Sequence, residues 1–85
     1  MIAPTTLKVV VATSTGRLRL LPPTTFHDGS EWVEAGQPVA RLERGRGDTI
    51  VRAPVGGRVT AVLGLEGEPM APGQAVLTID PDLPA

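Results

Sequence analysis

Hydrophobic and polar residues alternate with a period of two along several short stretches of the chain. In residues 17–20 two arginines alternate with two leucines, while residues 59–62 and 76–79 are rich in β-branched side chains and lie between glycines or prolines. Alternation over four to eight residues is typical of strands with one buried face. No stretch shows a convincing apolar stripe at helical spacing, so the pattern predicts an all-β protein.

These strand-like stretches belong to two imperfect copies of one pattern, and each copy contains the sequence Gly-Gln-x-Val, at 36–39 and at 73–76. The first copy is longer, with about three extra residues near 21–25 and one near Trp32, where a single extra residue would form a β-bulge. Two copies in a small all-β chain predict a flattened barrel or sandwich with internal pseudo-two-fold symmetry, each half supplying about four strands. On the N-terminal side of Gly-Gln-x-Val in each copy, the matched positions are Ala12 with Ala53, Gly16 with Gly57, Arg17 with Arg58, and Leu18 with Val59.

Length and composition narrow the class of protein. The 85 residues suit one small domain, and ten glycines with nine prolines indicate many turns. The absence of cysteine excludes disulfides and thiolate chemistry, and a net charge of −1 gives no bulk attraction to nucleic acid or membrane. The longest apolar run, 9–12, is too short for a bilayer span or a signal peptide, so a cytoplasmic protein is expected. We expect one domain over 1–85, with a core of about 8–80 and a short tail at 81–85.

The doubled glycine pattern, together with the Ala-Pro segment that begins at Ala53, resembles the biotinyl and lipoyl carrier domains. The resemblance runs from about Lys8 to Asp80, nearly the whole chain. It implies a flattened barrel of two sheets in which two four-stranded halves interlock.

The family's attachment residue is not found in this sequence. In such carriers the modified lysine lies in the central hairpin, three residues after a glutamate that ends a strand. By that resemblance Arg46 occupies the position, three residues after Glu43 and with the Ala-Pro corner in register at Ala53. A guanidinium stays protonated and is a poor nucleophile, so we expect no attached biotin or lipoate and no other cofactor. The single lysine, Lys8, is expected before the first strand as an exposed edge charge.

Positive charge is concentrated around this hairpin. Two interpretations remain open, a solvated face and a docking surface for an acidic protein. Nucleic acid is disfavoured because no aromatic side chains accompany the arginines. Arg46 also begins the tripeptide Arg-Gly-Asp, which integrins recognise. A structural role explains the tripeptide equally well: the glycines form the turn, and Asp48 offsets the positive charge of the arginines. Between 41 and 58 the cations are Arg41, Arg44, Arg46, Arg52 and Arg58, against only Glu43 and Asp48.

Residues 21–32 hold the only phenylalanine, histidine and tryptophan. Phe26 and Trp32 are expected to cap one end of the core. His27, Asp28 and the nearby glutamates Glu31 and Glu34 lack ligand spacing and a second histidine, so neither a metal site nor a catalytic site is expected. Resemblance to lipoyl domains implies that the loop near 22–25 lies beside the hairpin. The expected protein-binding surface therefore comprises Pro22, Pro23, Arg44, Arg46 and Asp48.

The sequence thus favours a non-catalytic, unmodified domain that binds protein as an adaptor or assembly module. Its partner would be an acidic surface or a larger enzyme complex, and neither nucleic acid nor membrane. The alternative is a carrier subunit of an acyl-CoA carboxylase or 2-oxoacid dehydrogenase system whose attachment site is lost or displaced. An enzyme is not expected, because no nucleophile–base pair or paired carboxylates stand at a plausible site.

Overall fold

A computed structural model of the chain describes residues 7–22 and 31–81, and the regular structure in these ranges is β-strand. The prediction of an all-β fold is confirmed. Lys8, expected before the first strand, is instead the exposed first residue of that strand. No helix long and apolar enough to cross a membrane occurs in the described ranges. The strands are β1 (Lys8–Val11), β2 (Gly16–Leu20), β3 (Trp32–Val33), β4 (Pro38–Glu43), β5 (Thr49–Arg52), β6 (Gly57–Val62), β7 (Pro69–Met70) and β8 (Ala75–Asp80).

The strands form two four-stranded antiparallel sheets, ordered β1-β8-β6-β3 and β5-β4-β2-β7. Strands β1 to β4 belong to the first copy of the repeat and β5 to β8 to the second, so each sheet takes two strands from each copy. Exchanging β1 with β5, β2 with β6, β3 with β7 and β4 with β8 converts one strand order into the other. The interlocked halves and their pseudo-two-fold relation are therefore confirmed.

Equivalent turns join the two copies to each other. Gly36 and Gly73 have φ angles of 86° and 88°, a region in which glycine carries no steric penalty. The N–H of Gly36 donates to the carbonyl of Ala53 at 2.8 Å, and the N–H of Gly73 donates to that of Ala12 at the same distance. Each turn is thus fastened to a buried alanine of the other copy, which confirms that the two glycines are equivalent.

The glutamine that follows each of these glycines closes its own turn. The side-chain oxygen of Gln37 accepts the N–H of Glu34 at 3.0 Å, and that of Gln74 accepts the N–H of Ala71 at 3.1 Å. The repeated Gly-Gln-x-Val sequence is therefore a turn motif in which the glycine and the glutamine each have a structural role.

The core is aliphatic and lies between the sheets. In β2 the predicted alternation is confirmed, since Leu18 is fully buried while Arg17 is exposed. Trp32 is half-buried in β3 and lies outside the core cluster, so its expected role as a core cap is wrong, and Phe26 lies outside the described residues. The largest fully buried side chains are those of Leu18, Leu42, Leu77, Ile79, Val33, Val39, Val59 and Val76.

Two irregularities in strand pairing obey the pseudo-symmetry. Val39 is skipped in the β4–β5 register and Val76 in the β8–β1 register, and both are fully buried. The described residues at Trp32 contain no bulge, because Trp32 pairs with Arg58 and the next residue pairs without a shift. A further irregularity, in β6 between Val59 and Ala61, has no counterpart in β2.

Candidate functional site: the hairpin between β4 and β5

The hairpin at 44–48 joins β4 to β5, which pair as antiparallel neighbours. Gly45 and Gly47 have φ angles of 82° and 127°, and no atom of the described residues lies within 4 Å of the position that a Cβ would take at either glycine. Arg44 and Arg46 are exposed. The predicted tight turn is confirmed, and its tip stands in open space.

Beneath the hairpin, charged side chains alternate in sign across β4 and β2. Arg19 and Arg41 occupy directly opposite positions on these strands, where like charges repel. The carboxylate of Glu43 offsets this repulsion by bonding both: Oε1 accepts Nε–H of Arg19 at 2.8 Å, and Oε2 accepts an Nη2 proton of Arg41 at 3.0 Å. Glu43 therefore lies at the centre of the arrangement.

A further carboxylate extends this row at each end. Oδ2 of Asp48 lies 3.2 Å from Nε of Arg41, an ion-pair contact that is not aligned as a hydrogen bond. Oε2 of Glu66 accepts an Nη1 proton of Arg19 at 3.1 Å, while its Oε1 accepts the backbone N–H of Leu20 at 2.8 Å. We call this row the charge ladder; it consists of Asp48, Arg41, Glu43, Arg19 and Glu66.

The ladder favours the ionised form of two of its carboxylates, those of Glu43 and Glu66. The hydrogen bond from Arg19 lowers the pKa of Glu43 below its usual value. The backbone N–H of Leu20, followed by the side chain of Arg19, lowers the pKa of Glu66, and the bond to Glu43 raises the pKa of Arg19. These side chains are about one-third to one-half exposed, so solvent screens the pairs and each is expected to stabilise the fold only modestly.

The ladder leaves the hairpin tip with uncompensated positive charge. Both acids flanking the tip, Glu43 and Asp48, are paired with arginines on the sheet. Arg44 and Arg46 make no ion pair or side-chain hydrogen bond with any residue in 7–22 or 31–81. Because Asp48 is held by Arg41, the Arg-Gly-Asp tripeptide does not present an unpaired carboxylate.

Pro22, which was expected beside the hairpin, lies at the opposite end of β2. Arg17 lies opposite Glu43, beside the hairpin, whereas the N–H of Leu21 bonds the carbonyl of Val39, four residues further along β4. At about 3.3 Å per residue, Pro22 is thus roughly 13 Å or more along the strand from the end that carries the hairpin. Pro23 lies outside the described residues, so the structure separates Pro22 from the hairpin and leaves the rest of the expected composite surface a prediction.

The segment at that end of β2 is instead 12–15, which joins β1 to β2. Thr13 and Thr15 are exposed there. This segment was not among the predicted site residues, although Thr-Ser-Thr-Gly between two strands is a recognisable turn sequence.

The residues considered for a metal site are not brought together within the described ranges. His27 and Asp28 lie outside those ranges. Among residues 7–22 and 31–81, no group of three or more acidic or histidine side chains could hold a metal ion.

The strand orders and the exchange of strands between the copies define a flattened β-sandwich of the biotinyl/lipoyl type. Among solved structures, the chain is similar to part of the urea carboxylase of Kluyveromyces lactis, with a TM-score of 0.71 and 24% sequence identity. The likeness covers 93% of this chain and 7% of that one. At this identity it shows the fold, and this chain spans only a small fraction of the carboxylase. No family model matches the sequence, and a search of curated proteins found no match.

Proposed function

We propose that this chain is a non-catalytic, unmodified domain of the biotinyl/lipoyl type that binds an acidic protein surface through its hairpin tip. The observation that carries the proposal is that the acidic residues of the hairpin are paired with arginines of the sheet, whereas the arginines at its tip are not paired with these acids. The ladder engages Glu43 and Asp48, whereas Arg44 and Arg46 are exposed and have no carboxylate partner among residues 7–22 and 31–81.

The chemistry of arginine favours a protein partner with surface carboxylates. A guanidinium is planar and can hold a carboxylate through two parallel hydrogen bonds. Gly45 separates the two arginines and Gly47 follows them, so a partner can approach both guanidinium groups with little steric hindrance. Clustered charge of one sign also accelerates encounter with a partner of opposite charge.

The unmodified state follows from the available nucleophiles. Acylation by biotin or lipoate requires an amine that can lose its proton, and Arg46 cannot supply one. The only lysine side chain is that of Lys8, which stands opposite Ile79 at the beginning of β1 rather than in the hairpin.

The proposal is tested by first recovering partners from the native host with the wild-type domain as bait. Association with a purified partner is then measured at low and high salt for wild type and for the Arg44→Ala/Arg46→Ala double variant. We expect the double variant to associate about tenfold more slowly at low salt, and we expect the difference to shrink at high salt.

Two controls separate charge from geometry. Arg44→Lys/Arg46→Lys keeps the charge but lacks the planar fork, so it should retain fast association and dissociate sooner. Lys8→Ala removes a cation outside the hairpin and should behave as wild type. If the double alanine variant keeps the wild-type rate and salt dependence, the hairpin tip does not dock the partner.

A carrier subunit is the second candidate, and the fold likeness to a segment of a carboxylase favours it. Intact mass of the protein purified from its native host separates the two candidates. An unmodified mass agrees with the binding domain, whereas added biotinyl or lipoyl mass would establish the carrier.

A further inference from the structure

An open groove of about 460 Å³ lies between β1 and β5. Each of these strands is the edge of its own sheet: β1 pairs with β8, and β5 pairs with β4. The groove therefore runs along the side of the sandwich where an edge strand of one sheet lies next to an edge strand of the other. The hairpin tip, Arg44 to Arg46, does not line it.

The groove is mostly apolar, and three of its aliphatic side chains are exposed. Val9 and Val11 of β1 are 52% and 38% exposed, and Ile50 of β5 is 39% exposed. Natural edge strands are usually protected by charges, prolines or strong twisting that discourage pairing with another strand. Here Lys8 stands only at the start of β1, and the remainder of that strand is three consecutive valines.

Backbone hydrogen-bonding groups lie beside these apolar side chains. Within the described part of the chain, β1 and β5 each have one neighbouring strand, so alternate N–H and C=O groups on their outer edges have no ladder partner. An added strand would satisfy these groups while its alternate side chains entered the groove, as in β-augmentation.

The charge of the lining indicates what such a strand must carry. Among the residues that the structure describes, Arg52 is the only charged one that lines the groove. Its Nη1 donates to the carbonyl of Gly36 at 3.0 Å, which positions the side chain and leaves other guanidinium donors available. Among residues 7–22 and 31–81 it has no carboxylate partner.

We propose that this groove receives an extended segment of a partner protein, which adds to the outer edge of β1. The segment has aliphatic or other apolar side chains at alternate positions and a carboxylate that pairs with Arg52. This inference does not depend on the hairpin tip or on the function proposed for it.

Two other occupants satisfy fewer of these groups. The four edge strands of a second copy, β1, β3, β5 and β7, contain no acidic residue to pair with Arg52. A fatty acid could pair its carboxylate with Arg52 and cover the valines, but it would leave the backbone edge of β1 unpaired. A peptide strand supplies all three kinds of contact.

The test uses a defined probe, the blocked peptide Glu-Val-Thr-Val-Thr-Val-Thr, together with its reversed sequence, since the direction of pairing is part of the question. Each is titrated into the ¹⁵N-labelled domain, and amide shifts are followed. We expect binding by one of the two, with the largest shifts in β1 and β5. Replacing the peptide's glutamate by lysine should weaken binding about tenfold, because an attraction to Arg52 becomes a repulsion.

Variants of the domain assign the contacts. Val9→Glu and Arg52→Ala should each weaken binding about tenfold. Leu65→Glu is the matched control, because Leu65 is 70% exposed on the turn between β6 and β7 and does not line the groove. Arg44→Ala/Arg46→Ala should also leave peptide binding unchanged, so failure here and failure of the hairpin proposal are distinguishable. Circular dichroism establishes that each variant is folded.

Four outcomes would overturn the proposal. They are no binding of either peptide at millimolar concentration, shifts confined to other strands, binding of dodecanoate in the absence of peptide binding, and a dimer in sedimentation that Val9→Glu dissociates. The last two would assign the groove to a fatty acid and to a second copy, respectively.

Discussion

The closest backbone approach at a glycine of the sandwich lies where β6 begins beside the end of β8. A Cβ added at Gly57 would lie 2.4 Å from the carbonyl oxygen of Asp80 and 2.8 Å from Cγ2 of Ile79. Ordinary contacts begin near 3.4 Å, and the nearest atom belongs to the backbone, so it cannot move by changing rotamer. Gly57→Ala must therefore push β6 and β8 apart by about 1 Å at this point.

The cost of that displacement has two parts. Overpacking a well-packed interior costs about 1–3 kcal/mol, and here it also displaces Ile79, which is fully buried. Separating the strand ends weakens the pairing of Arg58 with Asp80, which adds about 1 kcal/mol. We expect Gly57→Ala to lower the free energy of unfolding by about 3 kcal/mol, which corresponds to a loss of roughly 12–24 °C in Tm for a domain of this size.

Two other glycines provide a graded comparison. At Gly16, the pseudo-symmetric equivalent of Gly57, an added Cβ would lie 2.9 Å from Cβ of Leu42, so Gly16→Ala should cost about 1–2 kcal/mol. At Gly73 no atom lies within 4 Å, but φ is 88°, so Gly73→Ala should cost about 1 kcal/mol from backbone strain alone.

Urea unfolding measures all three variants. Fluorescence of Trp32, the only tryptophan, reports on β3 directly opposite the start of β6, and far-ultraviolet circular dichroism reports on both sheets. The expected order of destabilisation is Gly57→Ala, then Gly16→Ala, then Gly73→Ala. A Gly57→Ala protein as stable as Gly73→Ala would refute the close approach of the two strands.

Two further predictions concern the hairpin and the sheet below it. Because the pKa values of Glu43 and Glu66 are lowered on folding, their contribution to stability is present above about pH 4.3 and is lost as the pH falls through their folded pKa values. Glu43→Gln should therefore lower Tm at pH 7 and reduce the loss of Tm between pH 5 and pH 3; an unchanged pH profile would count against the ladder. Incubation with a biotin or lipoate ligase should leave the wild type unmodified, and Arg46→Lys should remain a poor substrate because Gly45 and Gly47 loosen the turn. Intact mass measures both, and efficient acylation of either protein would contradict the prediction.

The features that were predictable from sequence are local ones. The alternation in β2 indicates which of its side chains enter the core, because successive residues of a strand face opposite sides. The repeated Gly-Gln-x-Val sequence locates two turns whose hydrogen bonds involve Glu34 and Gln37 in one copy and Ala71 and Gln74 in the other. The pairing of the copies then indicates the pseudo-two-fold fold.

The features that were not predictable depend on register between distant segments. Glu66 is far from Arg19 in sequence, and only the path of the turn before β7 brings their side chains together. The position of Pro22 was misjudged because the expected neighbour of the hairpin was placed after β2, whereas the antiparallel register puts the segment before β2 at that end. Composition correctly indicated a basic hairpin but could not show which of its arginines are paired.

The internal repeat separates what the fold requires from what the hairpin adds. By sequence register, Arg19 and Arg41 correspond to Thr60 and Thr78 of the other sheet. Thr60 is the residue that the β6–β8 pairing skips, and its hydroxyl oxygen lies 2.7 Å from that of Thr78. The same architecture is thus built in one sheet with a neutral hydroxyl pair and in the other with two arginines bridged by Glu43. Since the sandwich does not require charge at these positions, the ladder is a property of the sheet that carries the hairpin. Its local consequence is that Glu43 and Asp48 are engaged on the sheet, which leaves the charge of Arg44 and Arg46 exposed at the tip.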